Sequence, residues 1–192
     1  NSQGPSPYSC FDGSSWSEYH PFEGIPDDPV SPFSFGPGET IWCIFSKGLA
    51  HFDSREWTFH SFPDSIENSF MKAAFSPDGS VWGATNRGVW RFDGLNWAYF
   101  AKPDSLTGNW LQDIAVDKDG DVWCAIRLNT IFDGIFGAGA IRFDGHAWKQ
   151  YTTADGLASN RVESIAIDSA GRVYFSTSGG ISILTPDKKV AV

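Results

Sequence analysis

The sequence predicts an all-β protein assembled from four copies of one four-stranded unit. Two observations carry this prediction: aromatic markers recur in phase along the chain, and Gly and Pro punctuate it throughout. The 192 residues include 20 Gly, 11 Pro and 9 Trp but only 1 Met, which is typical of many short strands joined by turns. Apolar residues make up 41% of the chain, so it can form a hydrophobic core.

The first marker is a Phe-Asp pair, usually followed by Gly, that precedes a Trp by a few residues. It recurs at a spacing of about 40 residues with one longer last step, the signature of a repeat protein. Its copies begin at Phe11, Phe52, Phe92 and Phe143 and lead to Trp16, Trp57, Trp97 and Trp148.

The second marker is an aliphatic residue followed by an aromatic one, with a turn before it and a Gly after it. It keeps the phase of the first marker, and together they place repeats at about 11–51, 52–91, 92–142 and 143–185 in one predicted domain, 1–192. Its copies are Ile41-Trp42, Val81-Trp82, Val122-Trp123 and Val173-Tyr174.

Each repeat divides into four strands, A to D. Strand B carries the aromatic of the second marker, strand C runs into Phe-Asp, and strand D carries the Trp of the first marker. Repeated four-stranded antiparallel sheets are the blades of a β-propeller, so the sequence predicts a four-bladed β-propeller. Strand A is expected to end near Phe35, Phe75, Val116 and Ile167.

One position of strand A is small in every repeat. We expect strand A to lie innermost, where a ring of small residues relieves crowding around the axis. The aligned residues are Ser34, Ala74, Ala115 and Ala166.

The ring can close in two ways. In one, four blades close on themselves and the strand around Trp16 completes the sheet of Val162–Leu184, because the competing segment, Lys188–Val192, lacks the Trp. In the other, the chain is half of a larger ring made by two copies, or a fragment of a longer protein. We favour self-closure, because it hides the open edges of the sheets.

The repeats resemble the two-component regulator propeller repeat family. The best copy, from Phe143 to Leu184, contains Phe-Asp-Gly, Trp148, Tyr151, Gly156-Leu157-Ala158-Ser159-Asn160 and Val173-Tyr174. The resemblance implies a sensor or binding propeller, in the periplasmic or extracellular part of a bacterial protein. Members of this family usually carry more repeats than this chain.

Composition and motifs argue against several classes of function. A net charge of −9 disfavours nucleic acid and anionic membranes as partners. No phosphate-binding loop or nucleophile elbow is present, so we expect no cofactor and no catalytic residues. Asp117-Lys118-Asp119-Gly120-Asp121 starts like a calcium loop, but Leu128 stands where the loop needs Glu, so we interpret it as a turn without a metal.

Departures from the repeat indicate where a ligand could bind. The loops before strand A and those between strands B and C emerge on one face, and polar residues that differ between repeats line that face. Trp110 could stack there on a sugar or another flat ligand. The predicted ligand-binding residues are Lys72, Trp110, Gln112, Asp113, Arg161 and Glu163.

An insertion within Arg127–Ala138 of the third repeat predicts a projecting hairpin. Its apolar residues Ile131, Phe132, Ile135 and Phe136 must be buried against the propeller or against another chain. The sequence thus leaves three functions open. The first is a non-catalytic module that binds a small molecule, glycan or protein. The second is an assembly unit that forms a homodimer or larger ring, and the third is a lyase or glycoside-active enzyme that uses channel carboxylates.

Overall fold

The protein is all-β over the residues that the computed structural model describes, which confirms the predicted fold class. Four antiparallel sheets have four strands each, and a fifth has two. The described residues are 8–11, 14–19, 34–36, 38, 40–45, 47–53, 55–63, 72–104, 106, 110–130, 134–186 and 190–191.

The chain divides into two compact units, Asn1–Asn68 and Ser69–Val192. The first unit contains an antiparallel pair, β1 (Tyr8–Phe11) with β2 (Trp16–Tyr19). It also contains one four-stranded sheet in sequential order, formed by β3 (Ser34–Phe35), β4 (Ile41–Phe45), β5 (Gly48–Phe52) and β6 (Trp57–Ser61).

The second unit contains three four-stranded sheets, each in sequential order. The first sheet is β7 (Lys72–Phe75), β8 (Val81–Ala84), β9 (Gly88–Phe92) and β10 (Trp97–Ala101). The second is β11 (Trp110–Val116), β12 (Val122–Thr130), β13 (Gly134–Phe143) and β14 (Trp148–Tyr151). The third is β15 (Val162–Ile167), β16 (Val173–Thr177), β17 (Gly180–Leu184) and β18 (Val190–Ala191).

The predicted strand boundaries agree with the structure. Strand A ends at the expected residue in all four sheets, and strand B begins at the aliphatic residue of the second marker. The register adds a physical reason for the small residues of strand A, because each one lies directly opposite a large aromatic ring of strand B. These pairs are Ser34 with Trp42, Ala74 with Trp82, Ala115 with Trp123 and Ala166 with Tyr174.

One prediction about the last sheet is wrong. Its fourth strand is β18, which pairs with β17 through Leu184 and Val190, and not the strand around Trp16. A hairpin between neighbouring segments closes a short loop, which costs less conformational entropy than recruiting a strand from the far end of the chain. Trp16 pairs instead with Phe11, and 69% of its surface is exposed.

The core of the second unit lies between successive sheets. The ring of Trp82 meets Phe143 edge-on at 6.3 Å, and the ring of Trp123 meets Phe175 in the same way at 5.9 Å. Burying a large aromatic side chain contributes roughly 2–3 kcal/mol. The strand B residues Trp82 and Trp123 therefore join neighbouring sheets, as the repeat predicts. In the first unit, Cys43, Phe45, Ala50 and Trp57 form a separate core.

Candidate ligand-binding site

The predicted ligand-binding residues gather at one end of the sheets of the second unit, where strand A begins. Lys72 and Trp110 are the first residues of β7 and β11. Arg161 directly precedes β15, and Glu163 is its second residue. The structure thus places residues from three sheets at the same end of their strands, although it assigns them different roles.

Asp113 lies in the interior and fastens three sheets together. Only 2% of its side chain is exposed. One carboxylate oxygen accepts the backbone N–H of Ile165 in β15 at 2.8 Å, and the other lies 2.6 Å from Nζ of Lys72 in β7. Its contacts are therefore internal, and Asp113 positions the strands that carry the site.

Gln112 makes a second link between β11 and β15. Its side-chain amide donates a hydrogen bond to the backbone carbonyl of Val162. Because Asp113 and Gln112 are adjacent and bind the same neighbouring strand, the starts of β11 and β15 are held at a fixed separation.

A small cavity of about 70 Å³ lies beside these links. We call it the arginine pocket, because two guanidinium-bearing side chains from neighbouring sheets line it. Its lining residues are Gln112, Ile126, Arg127, Gly137, Arg161, Val162 and Glu163.

Arg127 is the residue of this pocket that the sequence did not single out. Its Nε is buried and has no hydrogen-bond partner among the described residues. Arg127 lies in β12 opposite Trp110 of β11, next to an irregularity in the pairing of β12 with β13. Residues directly opposite each other in an antiparallel pair share a face of the sheet, so the Trp110 and Arg127 side chains emerge together.

Gly137 brings the two arginines close to each other. It lies opposite Arg127 in β13, and its Cα faces the loop before β15 at very short range. A Cβ built on Gly137 would lie 1.9 Å from the backbone oxygen of Asn160 and 2.2 Å from Cα of Arg161. Only glycine permits this approach, and a second Gly in the insertion, after the one at its turn, is the one sequence signal that could have indicated it.

The arginine pocket carries an excess of positive charge within an acidic chain. Arg161 donates through Nε to Glu163 at 2.6 Å, and both side chains are about half exposed. Glu163 is thus paired with Arg161, and Arg127 has no ion-pair partner among the residues that the structure describes. A buried guanidinium donor without a partner is costly, so the pocket favours an anionic group.

The predicted partner hairpin is present as a long extension of β12 and β13. Thr130 pairs with Gly134, and Asn129 pairs with Ile135. Ile131 and Phe132 lie outside the described residues, and of Ile135 and Phe136 the structure describes the backbone alone. The role of these residues as a partner interface stays a prediction.

Other reactive side chains do not form a centre in the part of the chain that the structure describes. Burial raises the pKa of the free thiol of Cys43 to about 12 and also raises that of Cys124, so neither is a ready nucleophile. His51 and His60 stack beside Trp42, and burial lowers the pKa of both imidazoles. No group of three potential metal ligands occurs over the described ranges, and no helix there is long and apolar enough to cross a membrane.

Comparison with known families agrees with the repeat pattern. Residues 156–179 match the family model described as the two component regulator propeller. The chain carries a repeat of this family. The match spans the loop before β15 and the whole β15–β16 hairpin, so it includes Arg161 and Glu163 of the arginine pocket. The curated proteins contain no match.

Solved structures share the fold of this chain at low sequence identity. The extracellular domain of BT4673 from B. thetaiotaomicron, described as a one-component system, has 18% identity and a TM-score of 0.59 over 85% of this chain and 25% of that one. Virginiamycin B lyase from Staphylococcus aureus has 16% identity and a TM-score of 0.66, covering 94% and 60%. YCF48 bound to D1 peptide has 14% identity and a TM-score of 0.62, covering 94% and 57%. This chain therefore spans between a quarter and three-fifths of each of these structures.

Proposed function

We propose that this chain is a non-catalytic recognition module of an extracellular or periplasmic protein. The ligand binds on the face where strand A begins, and an acidic group of the ligand enters the arginine pocket. The observation that carries this proposal is the buried Nε of Arg127, which has no partner among the described residues. The extracellular domain of BT4673, which shares the fold, supports the compartment.

The size and chemistry of the arginine pocket favour a carboxylate. A cavity of about 70 Å³ is well below the size of a drug-like binding site, so it holds one functional group rather than a whole ligand. Carboxylates match the planar fork of a guanidinium and form charge-assisted hydrogen bonds with it. The rest of the ligand would extend toward Trp110, which shares a face with Arg127 and offers an aromatic surface.

The same residues argue against catalysis at this site. Glu163 is the one carboxylate among the lining residues, and it is paired with Arg161. General acid–base chemistry on a glycoside needs two carboxyl groups flanking the bond. Some proteins of the same fold are enzymes, including virginiamycin B lyase and an ancestral GH74 enzyme, so fold alone does not decide the question.

A test of this proposal compares benzoate with benzamide, which have the same ring but differ in charge. Titration followed by amide chemical shifts should show saturable binding of benzoate to the parent protein and none of benzamide. Arg127→Gln should weaken benzoate binding by about tenfold or more, because one charge-assisted contact is lost.

Arg87→Gln is the matched control, since Arg87 is an exposed arginine of the same unit outside the pocket. It should leave the affinity unchanged. Equal affinity of the parent and Arg127→Gln for benzoate would overturn the proposal, as would equal binding of benzamide.

A second candidate function is assembly through the β12–β13 hairpin. Its strands have nine and ten residues, whereas strands B and C of the other sheets have four or five. A strand pair that extends beyond the rest of its sheet can bind a second chain through its apolar residues. Light scattering should then give the mass of two chains, and a strict monomer would argue against this function.

A further inference from the structure

A second cavity lies at the opposite ends of the strands from the arginine pocket. It has a volume of about 250 Å³ and opens beside the turns that join β11 to β12 and β15 to β16. We call it the tyrosine cavity. Its lining residues are Asp117, Lys118, Asp119, Asp121, Trp123, Arg142, Tyr151, Gly171, Val173, Leu184, Thr185 and Pro186.

The phenol of Tyr151 is the polar group of this cavity that lacks an internal partner. Tyr151 is 2% exposed, and its hydroxyl has no hydrogen-bond partner in the described part of the protein. The ring is held in place by Trp123, with centroids 5.4 Å apart, and by Nζ of Lys149, which lies 4.5 Å from the ring centroid. A fixed, buried hydroxyl without a partner is unfavourable unless another molecule supplies one.

Four of the five charged groups that line the cavity form two ion pairs with one another. Nε of Arg142 donates to Asp121 at 2.7 Å, and both side chains are largely buried. At the rim, Nζ of Lys118 lies 2.8 Å from a carboxylate oxygen of Asp119. An anion would have to break one of these pairs, which disfavours anions. A cation would find only the carboxylate of Asp117, which lies outside both pairs.

Asp117 is also fully engaged by the protein. Its carboxylate accepts the backbone N–H groups of Asp119 and Asp121 and the indole N–H of Trp123, at 2.9–3.0 Å. Among the described lining residues, the hydroxyl of Tyr151 is thus the buried polar group that has no partner and can bind a ligand. A hydroxyl of the ligand suits it well, because a hydroxyl can both donate and accept a hydrogen bond.

The remaining wall of the cavity is apolar. Val173, Leu184 and Pro186 line it beside the buried ring of Trp123. The volume lies just below the range of about 300–1,000 Å³ that holds drug-sized ligands. We propose that the tyrosine cavity binds a neutral, hydroxyl-bearing molecule of about one ring, with its C–H face on the apolar wall and a hydroxyl on Tyr151.

The test is a calorimetric titration of the whole chain with neutral and charged single-ring compounds. Myo-inositol and glucose are the neutral probes, and glucuronate and glucosamine are the charged ones. At least one neutral probe should bind with a saturable isotherm and change the tryptophan fluorescence, because Trp123 lines the cavity. The charged probes should bind more weakly by tenfold or more.

Two matched variants separate a ligand site from ordinary packing. Tyr151→Phe removes an unpartnered hydroxyl, so it should weaken binding of the neutral probe about tenfold without lowering Tm. Tyr174→Phe is the control, because the Tyr174 hydroxyl donates to Asp168 at 3.0 Å outside the cavity lining. It should lower Tm and leave the affinity unchanged.

Three results would overturn the inference. One is that neither neutral probe shows saturable binding, which would mean that the cavity holds only water. Another is equal affinity of the parent and Tyr151→Phe. The third is a loss of Tm in Tyr151→Phe as large as in Tyr174→Phe, which would show that the hydroxyl has an internal partner. Arg127→Gln should not alter this binding, so the outcome is independent of the arginine pocket.

Discussion

The two ends of the sheets β11–β14 and β15–β18 are built on different principles. At the end that carries the β11–β12 and β15–β16 turns, Asp117 and Asp168 hold equivalent positions and accept equivalent hydrogen bonds. One oxygen takes the backbone N–H groups two and four residues later, and the other takes the polar atom of Trp123 or Tyr174. At the other end, where strand A begins, the equivalent residues differ in every sheet.

The difference between the two ends follows from the contacts that each end makes. A turn closes within its own sheet, so the same aspartate serves both of these sheets, whereas Gly36 and Ser76 stand at the equivalent positions of the other two four-stranded sheets. The start of strand A contacts the neighbouring sheets, and Lys72 and Asp113, which are equivalent in the repeat, form an ion pair across them at 2.6 Å. Two like charges would repel each other there, so the start of strand A cannot carry the same charged residue in neighbouring repeats. Departures from the repeat therefore mark the contacts particular to this protein.

The largest expected effect on stability belongs to Asp113. Asp113→Ala should lower the free energy of unfolding by about 3 kcal/mol, because it leaves the buried N–H of Ile165 without its acceptor and removes the partner of Lys72. Urea denaturation followed by tryptophan fluorescence measures this loss.

Glu163→Ala is the control for this prediction. Glu163 and its partner Arg161 are both about half exposed, so removal of this ion pair should cost less than about 1 kcal/mol. If Asp113→Ala proved as mild as Glu163→Ala, Asp113 would not hold the sheets together.

The same contrast explains what the sequence could and could not predict. Strand ends such as Phe75 and Val116 were predictable, because turn residues and aromatics recur in phase. Arg127 was not, because its position depends on the approach of a loop from the next sheet to Gly137. The error over Trp16 has a similar origin, since the repeat pattern does not weigh the loop entropies of two competing strands.

Substitution of the two equivalent turn aspartates, Asp117 and Asp168, should have intermediate effects on stability that differ from each other. Asp117→Ala should lower the free energy of unfolding by about 2 kcal/mol, because the indole N–H of Trp123, a residue 3% exposed, loses its acceptor. Asp168→Ala should cost clearly less, since Tyr174 is only half-buried and water can partly replace the carboxylate. Parallel urea titrations measure both. Equal losses would mean that burial does not distinguish these turns.

The smallest effect is a dependence on pH at the more exposed turn. The backbone N–H of Arg172 lowers the pKa of Asp168, burial acts in the opposite direction, and the Arg172 and Tyr174 side chains lower it further, from 3.8 to about 2. A depressed pKa in the folded state stabilises the protein above the unfolded-state value. This contribution to stability is therefore complete above about pH 4 and is lost as the pH falls toward 2.

The Tm difference between the parent and Asp168→Asn should accordingly be present at pH 5 and shrink toward zero near pH 2. A difference that stays constant would show that the charge of Asp168 does not contribute, and that the turn is held by backbone geometry alone.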